Sequence, residues 1–286
     1  MNLQEPNSAE TGVSGNFDTR SHESFYEYYK KQSLSPQTMQ RFAAIADVVT
    51  RMWGARADGA NLDVLDIGCG AGAQSQFWSD KGHRYHGIDV NAPLIQLAKE
   101  RAAEQGRGAR FEVGSATQLP FADASFDICL LPELLEHIVD WQSCLNEAVR
   151  VLRPGGLIYL STSSVLCPKQ QEFNLIGYSW YPSFIKRYIE RKALTDWPAV
   201  ANYAKYPAVH WFSFYQLRRF LGERGFRSFD RFDVMRLDNK SPAARAVVTV
   251  LRAVPPLRFF GHVLTEGTVL VARLADSASG KGQPAK

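Results

Sequence analysis

The sequence predicts an α/β fold in which a doubly wound, mostly parallel sheet of seven strands is covered by helices on both faces. Short apolar runs alternate along the chain with segments whose apolar residues recur at helical spacing, which is typical of this architecture. The first run, residues 62–67, leads into a glycine-rich turn, and the second, residues 85–88, ends in Asp89. Since ligands bind at the carboxyl ends of such strands, we expect a nucleoside site there.

The remaining elements follow the same alternation. Asp140 stands where a helix N-cap is expected, ahead of apolar residues at helical spacing, and Pro154 with two glycines ends that helix. The later strands are predicted over residues 110–113, 126–131, 157–160, 226–234 and 268–271, and further helices over residues 73–81 and 215–224.

The chain divides into six predicted segments. Polar sequence at both ends predicts disorder, and an aromatic-rich insert interrupts the alternation of strands and helices. The segments are a disordered lead-in (1–24), an N-terminal helical segment (25–60), a cofactor-binding core (61–164), a substrate-cover insert (165–212), the C-terminal completion of the sheet (213–275) and a disordered tail (276–286).

The composition is that of an ordinary globular protein, with 45% hydrophobic and 22% charged residues. A net charge of +4 is small for a protein that binds nucleic acid. The four cysteines have no paired spacing, no apolar run reaches the ~18 residues of a membrane span, and residues 1–24 lack the apolar core of a secretory signal. We therefore expect a cytoplasmic protein.

The strongest motif is VLDIGCGAG, residues 64–72. Glycines after a buried strand let the backbone turn sharply and approach a ligand closely. Gly68 and Gly70 also satisfy the relaxed dinucleotide fingerprint, so the glycines alone leave a dinucleotide site or a plain tight turn open. Asp66 favours another cofactor, because a carboxylate there repels a pyrophosphate but suits the ammonium of a methionine moiety. Asp89 is placed to accept both hydroxyls of a ribose.

These motifs and several later ones resemble the class I S-adenosylmethionine-dependent methyltransferases. The similarity is closest to the branch that contains the ubiquinone-pathway O-methyltransferases and the generic type 11 domains. The segments that carry it are LDIGCGAG (65–72), GIDV (87–90), GSATQLPFADASFD (114–127), LPELLEHI (131–138) and VLRPGG (151–156). The resemblance implies a Rossmann-like methyltransferase fold with S-adenosyl-L-methionine as the cofactor.

The resemblance also implies roles for individual residues. The implied cofactor contacts are Asp66, Gly68 and Gly70 at the methionine end, Asp89 at the ribose, Ser115 and Ala116 at the adenine, the backbone of Leu131 near the sulfonium, and Arg41 at the methionine carboxylate. Ser115 departs from the family pattern, which commonly has Asp there, so we expect a weaker bond to the adenine amino group. For Arg41, the alternative is a surface position on an N-terminal helix.

His137 is the predicted general base. Methyl transfer is an in-line displacement that needs an aligned acceptor, and a hydroxyl acceptor must also lose its proton. His137 follows the fourth strand, which lies beside the cofactor sulfur in relatives, and histidine side chains titrate near neutral pH.

The pattern Glu133-x-x-Glu136-His137 allows a second interpretation. In a helical turn these three residues share one face, and with His210 as a fourth ligand they form a candidate site for a divalent cation such as Mg²⁺. The pattern resembles metal-dependent O-methyltransferases, but similar sequences occur in relatives that need no metal. The alternative is that Glu133 and Glu136 orient the cofactor or cap the turn.

The methyl acceptor is the least defined part of the prediction. Aromatic residues of the insert suit a small-molecule, glycan or lipid-like acceptor, unless they only build the insert itself. The mixed basic and apolar residues 245–260 fit either peripheral contact with the inner face of a membrane or a helix packed on the domain. We expect O-methylation of a hydroxyl. N-methylation of a small amine, RNA 2′-O-methylation and a non-catalytic cofactor-binding protein are the alternatives.

Overall fold

A computed structural model describes residues 26, 30–54, 61–169, 172–201 and 208–275, so the predicted lead-in and tail lie outside the described residues. Its centre is one seven-stranded sheet. The strands are β1 (Asp63–Ile67), β2 (Arg84–Asp89), β3 (Arg110–Val113), β4 (Phe126–Pro132), β5 (Leu152–Ser163), β6 (Phe226–Asp230) and β7 (Gly267–Leu274). Their order across the sheet is β3-β2-β1-β4-β5-β7-β6, and β7 runs antiparallel to β5 and β6. The predicted doubly wound, mostly parallel fold is confirmed.

Helices cover the sheet on both faces. They are α1 (Pro36–Trp53), α2 (Gln76–Ser79), α3 (Ala92–Glu104), α4 (Trp141–Val151), α5 (Ser183–Leu194), α6 (Phe214–Gly222), α7 (Arg231–Val234), α8 (Pro242–Ala253) and α9 (Pro255–Val263). The predicted N-cap of α4 is confirmed, because Asp140 Oδ1 accepts a hydrogen bond from the Ser143 amide at 3.1 Å. A side-chain cap of this kind typically contributes about 1 kcal/mol to the free energy of unfolding.

The direction of strand addition reverses at β1. Its parallel neighbours are β2 on one side, where Ile67 lies opposite Ile88, and β4 on the other, where Asp66 lies opposite Leu130. The connections after β1 and after β4 therefore leave on opposite sides of the sheet. This arrangement opens a crevice at the carboxyl ends of β1 and β4, as expected for a topological switch point.

The hydrophobic core has two layers, one on each face of the sheet. Successive side chains of β1 point to opposite faces of the sheet. Leu65 packs with α4 and α6 on one face, and Val64 packs with α1 and α3 on the other. The central strand β4 is almost wholly apolar and is buried on both sides, which is what a central parallel strand requires. The rigid part of the fold therefore lies directly beneath the crevice.

Three predicted elements are wrong in extent. The strand predicted over residues 157–160 is the longer β5, Leu152–Ser163, so α4 ends at Val151 and Pro154 lies within the strand. The strand predicted over residues 226–234 ends at Asp230, because the Asp230 side chain accepts hydrogen bonds from the Phe232 and Asp233 amides and so starts helix α7. The helix predicted over residues 73–81 is a 3₁₀ turn, Ala73–Ser75, followed by the four-residue α2.

Helices α8 and α9 form a hairpin inserted between β6 and β7, and Asp230 holds this hairpin to the sheet. The fully buried Asp230 carboxylate bonds to Arg258 Nε at 2.6 Å and to His262 Nε2 at 2.8 Å. Burial alone would raise the pKa of Asp230, but the bonds from His262 and Arg258 lower it below its ordinary value. Among the described residues, no helix combines the length and apolar character needed to cross a bilayer.

Candidate functional site

The turn after β1 brings the backbone close to the end of β2. The Gly68 and Cys69 amides both donate to the Ile88 carbonyl, at 2.8 and 3.1 Å. Gly68, Gly70 and Gly72 have φ angles of 78°, 51° and 69°, in the left-handed region that favours glycine. A Cβ atom at Gly72 would meet Phe111 and Ala98 at less than 3 Å, whereas a Cβ atom at Gly70 would meet nothing within 4 Å. Gly70 therefore borders open space in which a ligand can approach the backbone.

Asp66 lies buried under this turn with half of its carboxylate unpaired. Its Oδ2 accepts hydrogen bonds from Gln74 Nε2, at 2.9 Å, and from the Tyr85 hydroxyl. Its Oδ1 has no hydrogen-bond partner among the described residues. Burial raises the pKa of Asp66 to about 7, against the lowering effect of its two donors, and nearby Asp89 adds to the rise. The carboxylate thus occupies a position that a cationic ligand would stabilise.

Asp89 ends β2 and faces the same crevice. Its Oδ2 accepts from the Gly70 amide at 2.9 Å and its Oδ1 from the Asn91 amide at 2.8 Å. Burial raises the pKa of Asp89, while these two amide bonds oppose the rise. Each carboxylate oxygen keeps a second acceptor position, so a pair of neighbouring hydroxyls has two acceptors available. The structure therefore brings Asp66 and Asp89 together, as the sequence predicts.

The other implied cofactor contacts lie around this pair. The Gly114 amide donates to the Asp89 carbonyl at 3.0 Å, which places Ser115 and the buried Ala116 just beyond the end of β3. The Ser115 hydroxyl accepts from the Thr117 amide at 3.1 Å and so shapes its own loop. Leu131 is fully buried near the end of β4. Their adenine and sulfonium contacts stay predictions.

Arg41 is exposed on α1, with its guanidinium carbon 5.4 Å from the centre of the Phe42 ring. Burial raises the pKa of Tyr159, on β5, to about 12, and the charge of Arg41 partly opposes this rise. Arg41 is therefore near the carboxyl half of β5, while its bond to a methionine carboxylate stays a prediction.

A second group of side chains follows β4. Glu133 adopts a φ of 52°, which a non-glycine residue adopts at a cost of about 1–2 kcal/mol, and its amide donates to the Ser161 carbonyl at 2.8 Å. Its Oε1 accepts from the Ser161 hydroxyl at 2.5 Å. The helical turn expected for residues 133–137 covers only Leu135–His137, so Glu133 does not share a helical face with Glu136. Strained backbone of this kind is concentrated at functional sites.

Glu136 is fully buried beneath the insert. Its Oε2 accepts from the Thr162 hydroxyl at 2.7 Å, and its Oε1 has no partner among the described residues. Its carbonyl accepts from the Val209 and His210 amides, which fixes the end of the insert against the core. Burial raises the pKa of Glu136 well above its usual range, and Glu133 adds to the rise.

His137 and Glu172 complete this acidic pocket. Ligand atoms of Glu136, His137 and Glu172 all lie within 4.8 Å of one another, and His137 Nδ1 is buried without a hydrogen-bond partner among the described residues. Burial raises the pKa of Glu172, although nearby His137 opposes the rise. We call the group of Glu133, Glu136, His137 and Glu172 the acidic pocket.

The predicted cation ligands are only partly brought together. Neither Glu133 nor His210 belongs to the cluster of potential ligands found among the described residues. The imidazole Nε2 of His210 is hydrogen-bonded to the Val139 carbonyl at 3.0 Å and not to a residue of the cluster. Glu172 enters the pocket instead, and sequence reasoning missed it because a lone acid 35 positions beyond His137 carries no spacing signal.

The insert builds a small core of its own. Phe173 and Tyr178 stack with ring centres 4.0 Å apart, and Trp211 lies edge-on to Tyr178. The interpretation that the aromatics build the insert itself therefore holds for these three. A second set remains exposed, and its contact with an acceptor stays a prediction. The large exposed apolar residues of the insert are Ile176, Trp180, Phe184, Tyr188 and Trp197.

A cavity of about 260 Å³ lies at the opposite, amino-terminal edge of the sheet. It is lined by the first residues of several strands, among them Asp63, Arg84 and Arg110. Arg84 is paired there with Asp63, at 2.5 Å. Ligands of doubly wound sheets bind at the carboxyl edge, so we place the functional site in the crevice and not in this cavity.

Residues 65–160 match the family model of a methyltransferase domain. The chain is similar to the ubiquinone biosynthesis O-methyltransferase of Parvibaculum lavamentivorans, with 32% identity over 127 residues, which are 44% of this chain and 50% of that protein. It is also similar to the malonyl-[acyl-carrier protein] O-methyltransferase of Serratia marcescens, with 33% identity over 116 residues, 41% of this chain and 44% of that protein. The chain spans about half the length of the curated relatives it matches.

Among solved structures, the PH0226 protein of Pyrococcus horikoshii superposes with a TM-score of 0.55 at 18% identity, covering 87% of this chain and 98% of that protein. At this identity the likeness shows the fold alone. The family match over residues 65–160 shows that this part of the chain is similar to a methyltransferase domain.

The role of Gly70 can be separated from ordinary backbone strain by comparing two alanine variants. Gly70 and Gly54 both have positive φ angles and open space at the Cβ position, but Gly54 ends α1, outside the crevice. We expect Gly70→Ala and Gly54→Ala each to lose about 1–2 kcal/mol of unfolding free energy. In titration calorimetry with S-adenosylhomocysteine, Gly70→Ala should bind at least about tenfold more weakly.

Gly54→Ala should keep the wild-type affinity. Equal affinities for the two variants would contradict the placement of the ligand against the Gly70 backbone.

Proposed function

We propose that the protein transfers a methyl group from S-adenosylmethionine to a hydroxyl of a small-molecule, glycan or lipid-like acceptor. The observation that carries the proposal is the buried, unpaired Oδ1 of Asp66, in the same crevice as Asp89. An unpaired carboxylate oxygen in a buried position is costly unless a donor or cation reaches it.

The residues present fit this cofactor better than they fit a dinucleotide. Asp66 would accept from the methionine ammonium and would repel a pyrophosphate in the same place. Asp89 would accept both ribose hydroxyls, one on each oxygen, while the Gly70 and Asn91 amides hold its carboxylate in position. The open space at Gly70 allows the ligand to lie against the backbone.

The acidic pocket supplies the chemistry on the acceptor side. When bound, S-adenosylmethionine supplies an electrophilic methyl group on a sulfonium. His137 would take the hydroxyl proton of the acceptor, because its buried Nδ1 has no partner among the described residues. The carboxylates of Glu136 and Glu172, within 4.8 Å, would stabilise the resulting imidazolium. Proton transfer of this kind typically contributes 10²- to 10⁴-fold, roughly, to the rate.

The acceptor class rests on the insert and on the relatives. The insert supplies Glu172 to the acidic pocket and also carries exposed aromatic side chains, which offer apolar surface to an acceptor. Two relatives are named as O-methyltransferases, one of ubiquinone biosynthesis and one acting on a malonyl-[acyl-carrier protein]. A net charge of +4 does not favour a nucleic-acid acceptor.

A divalent cation such as Mg²⁺ is the second candidate for the acidic pocket. Glu136, His137 and Glu172 offer two carboxylates and an imidazole, and both Glu136 Oε1 and His137 Nδ1 are buried without partners among the described residues. A cation there would lower the pKa of an acceptor hydroxyl, and His137 would then be a ligand and not a base.

The Asp66 assignment predicts a pH dependence of cofactor binding. Because burial raises the pKa of Asp66 to about 7, the carboxyl is mostly neutral below that pH, and only the ionised form pairs with an ammonium. The affinity for S-adenosylhomocysteine should therefore rise about five- to tenfold between about pH 6 and 7.5, a range in which an α-amino group stays mostly protonated. Calorimetry at a series of pH values measures this.

Asp66→Asn should bind weakly at all of these pH values, and the exposed control Asp123→Asn should behave as the wild type does. A wild-type affinity that does not change with pH, or binding of NADH in place of S-adenosylhomocysteine, would refute the assignment.

Chelation distinguishes the two candidates for the acidic pocket, and His137→Ala tests whether His137 takes part in the reaction at all. With labelled S-adenosylmethionine and an alkyl catechol or a bacterial lipid extract as acceptor, His137→Ala should lose at least about 10²-fold in turnover while it keeps its cofactor affinity. His210→Ala, whose imidazole is bonded to the Val139 carbonyl, serves as the matched control and should stay active. Turnover that survives exhaustive chelation would rule out the cation, and unchanged turnover of His137→Ala would remove His137 from the mechanism.

A further inference from the structure

The α8–α9 hairpin presents apolar residues to solvent and charged residues to the protein. Val247 and Val250 are three residues apart on α8, and Leu257 and Phe260 are three residues apart on α9, while Val254 lies between the helices and Leu264 follows α9. Side chains at this spacing share one face of a helix. All six are exposed, by 38% at Val254, 60% at Phe260 and 81% at Leu264.

Two of the three arginines of the hairpin point the other way. Arg252 Nε donates to the Phe232 carbonyl at 2.8 Å, so this carbonyl of the short helix α7 has a hydrogen-bond donor. Arg258 bonds to the buried carboxylate of Asp230. On an ordinary surface helix the apolar face is turned inward and the charges outward, so this hairpin has the reverse pattern.

The exposed apolar residues continue across the junction of the two helices. Val254 is the single residue between α8 and α9, and it is itself exposed. We call the six side chains Val247, Val250, Val254, Leu257, Phe260 and Leu264 the hairpin face. Large apolar residues concentrated on one exposed segment mark a binding site more often than an ordinary solvated surface does.

The positive charge of the hairpin favours an anionic partner. Residues 241–265 contain no Asp or Glu, and Lys240 and Arg245 are exposed at the start of α8. An isologous contact with a second copy would bring two cationic, acid-free hairpins together, which is unfavourable. An anionic bilayer supplies an apolar layer and the opposite charge at once.

We propose that the hairpin face docks the protein on the surface of an anionic lipid bilayer. The helices would lie in the plane of the interface, with Phe260 and Leu264 in the acyl boundary and Lys240 and Arg245 at the headgroups. This partner does not depend on the catalytic chemistry of the crevice.

The position of the hairpin links docking to the crevice. The Ser164 amide donates to the Glu266 carbonyl at 2.9 Å, two residues after Leu264, and Gly267 pairs with Ser163. The Ser163 hydroxyl in turn donates to Glu172 of the acidic pocket, at 3.4 Å. The end of the hairpin face therefore lies at the carboxyl edge of the sheet, so docking would bring the acidic pocket close to the membrane surface.

Vesicle flotation with the full chain tests the proposal. Wild-type protein should float with vesicles of phosphatidylcholine and phosphatidylglycerol, and less with vesicles of phosphatidylcholine alone. Phe260→Glu should weaken binding at least about tenfold, because it removes a large apolar side chain and adds a negative charge. Leu34→Glu is the matched control, because Leu34 is a large apolar residue that is 47% exposed and lies outside the hairpin. The Leu34→Glu variant should bind the vesicles as the wild type does.

Circular dichroism and S-adenosylhomocysteine binding show whether each variant is folded. A wild-type protein that does not bind the anionic vesicles, or a folded Phe260→Glu variant that binds them as well as the wild type, would overturn the proposal. A dimer in sedimentation that Phe260→Glu dissociates, without vesicle binding, would assign the hairpin face to a second copy. Vesicle binding without cofactor binding would leave this inference standing and contradict only the proposed function.

Discussion

The organisation of the crevice depends on one costly interaction, the burial of the Asp66 carboxylate. Tyr85 and Gln74 satisfy its Oδ2, while its Oδ1 is left without a partner among the described residues. Burial of an ionised group costs several kcal/mol, approximately, unless a partner offsets it. The turn through Gly68 and Gly70 covers the carboxylate and holds the end of β2 beside it. A ligand with a cationic group would relieve this cost, and a pyrophosphate would add to it.

The acidic pocket extends the same electrostatic pattern to the acceptor side. Three glutamates surround His137, and one of them, Glu133, adopts a strained backbone conformation. Their mutual repulsion and burial raise the pKa values of Glu136 and Glu172, so the pocket favours a positive charge arriving nearby. A sulfonium, an imidazolium or a divalent cation each supplies such a charge.

Local signals in the sequence account for the sheet and for the crevice. Alternation of apolar runs with helical spacing identifies the strands. The glycine turn with Asp66 and Asp89 predicts the crevice, because these residues are close in sequence. The extent of β6 was wrong because Asp230 both ends the strand and caps a helix. The position of Glu172 in the acidic pocket and the exposure of the apolar residues of the hairpin depend on tertiary packing. Sequence spacing does not predict tertiary packing. The mixed basic and apolar character of residues 245–260 was visible, but not which side of each helix faces the protein.

The most direct test of the central claim is a crystal structure of the protein with S-adenosylhomocysteine bound. The ribose hydroxyls should donate hydrogen bonds to the two Asp89 oxygens, and the homocysteine amino group should lie within hydrogen-bond distance of Asp66 Oδ1. A ligand bound at the amino-terminal edge of the sheet, or one that leaves Asp66 Oδ1 unpaired, would contradict the account.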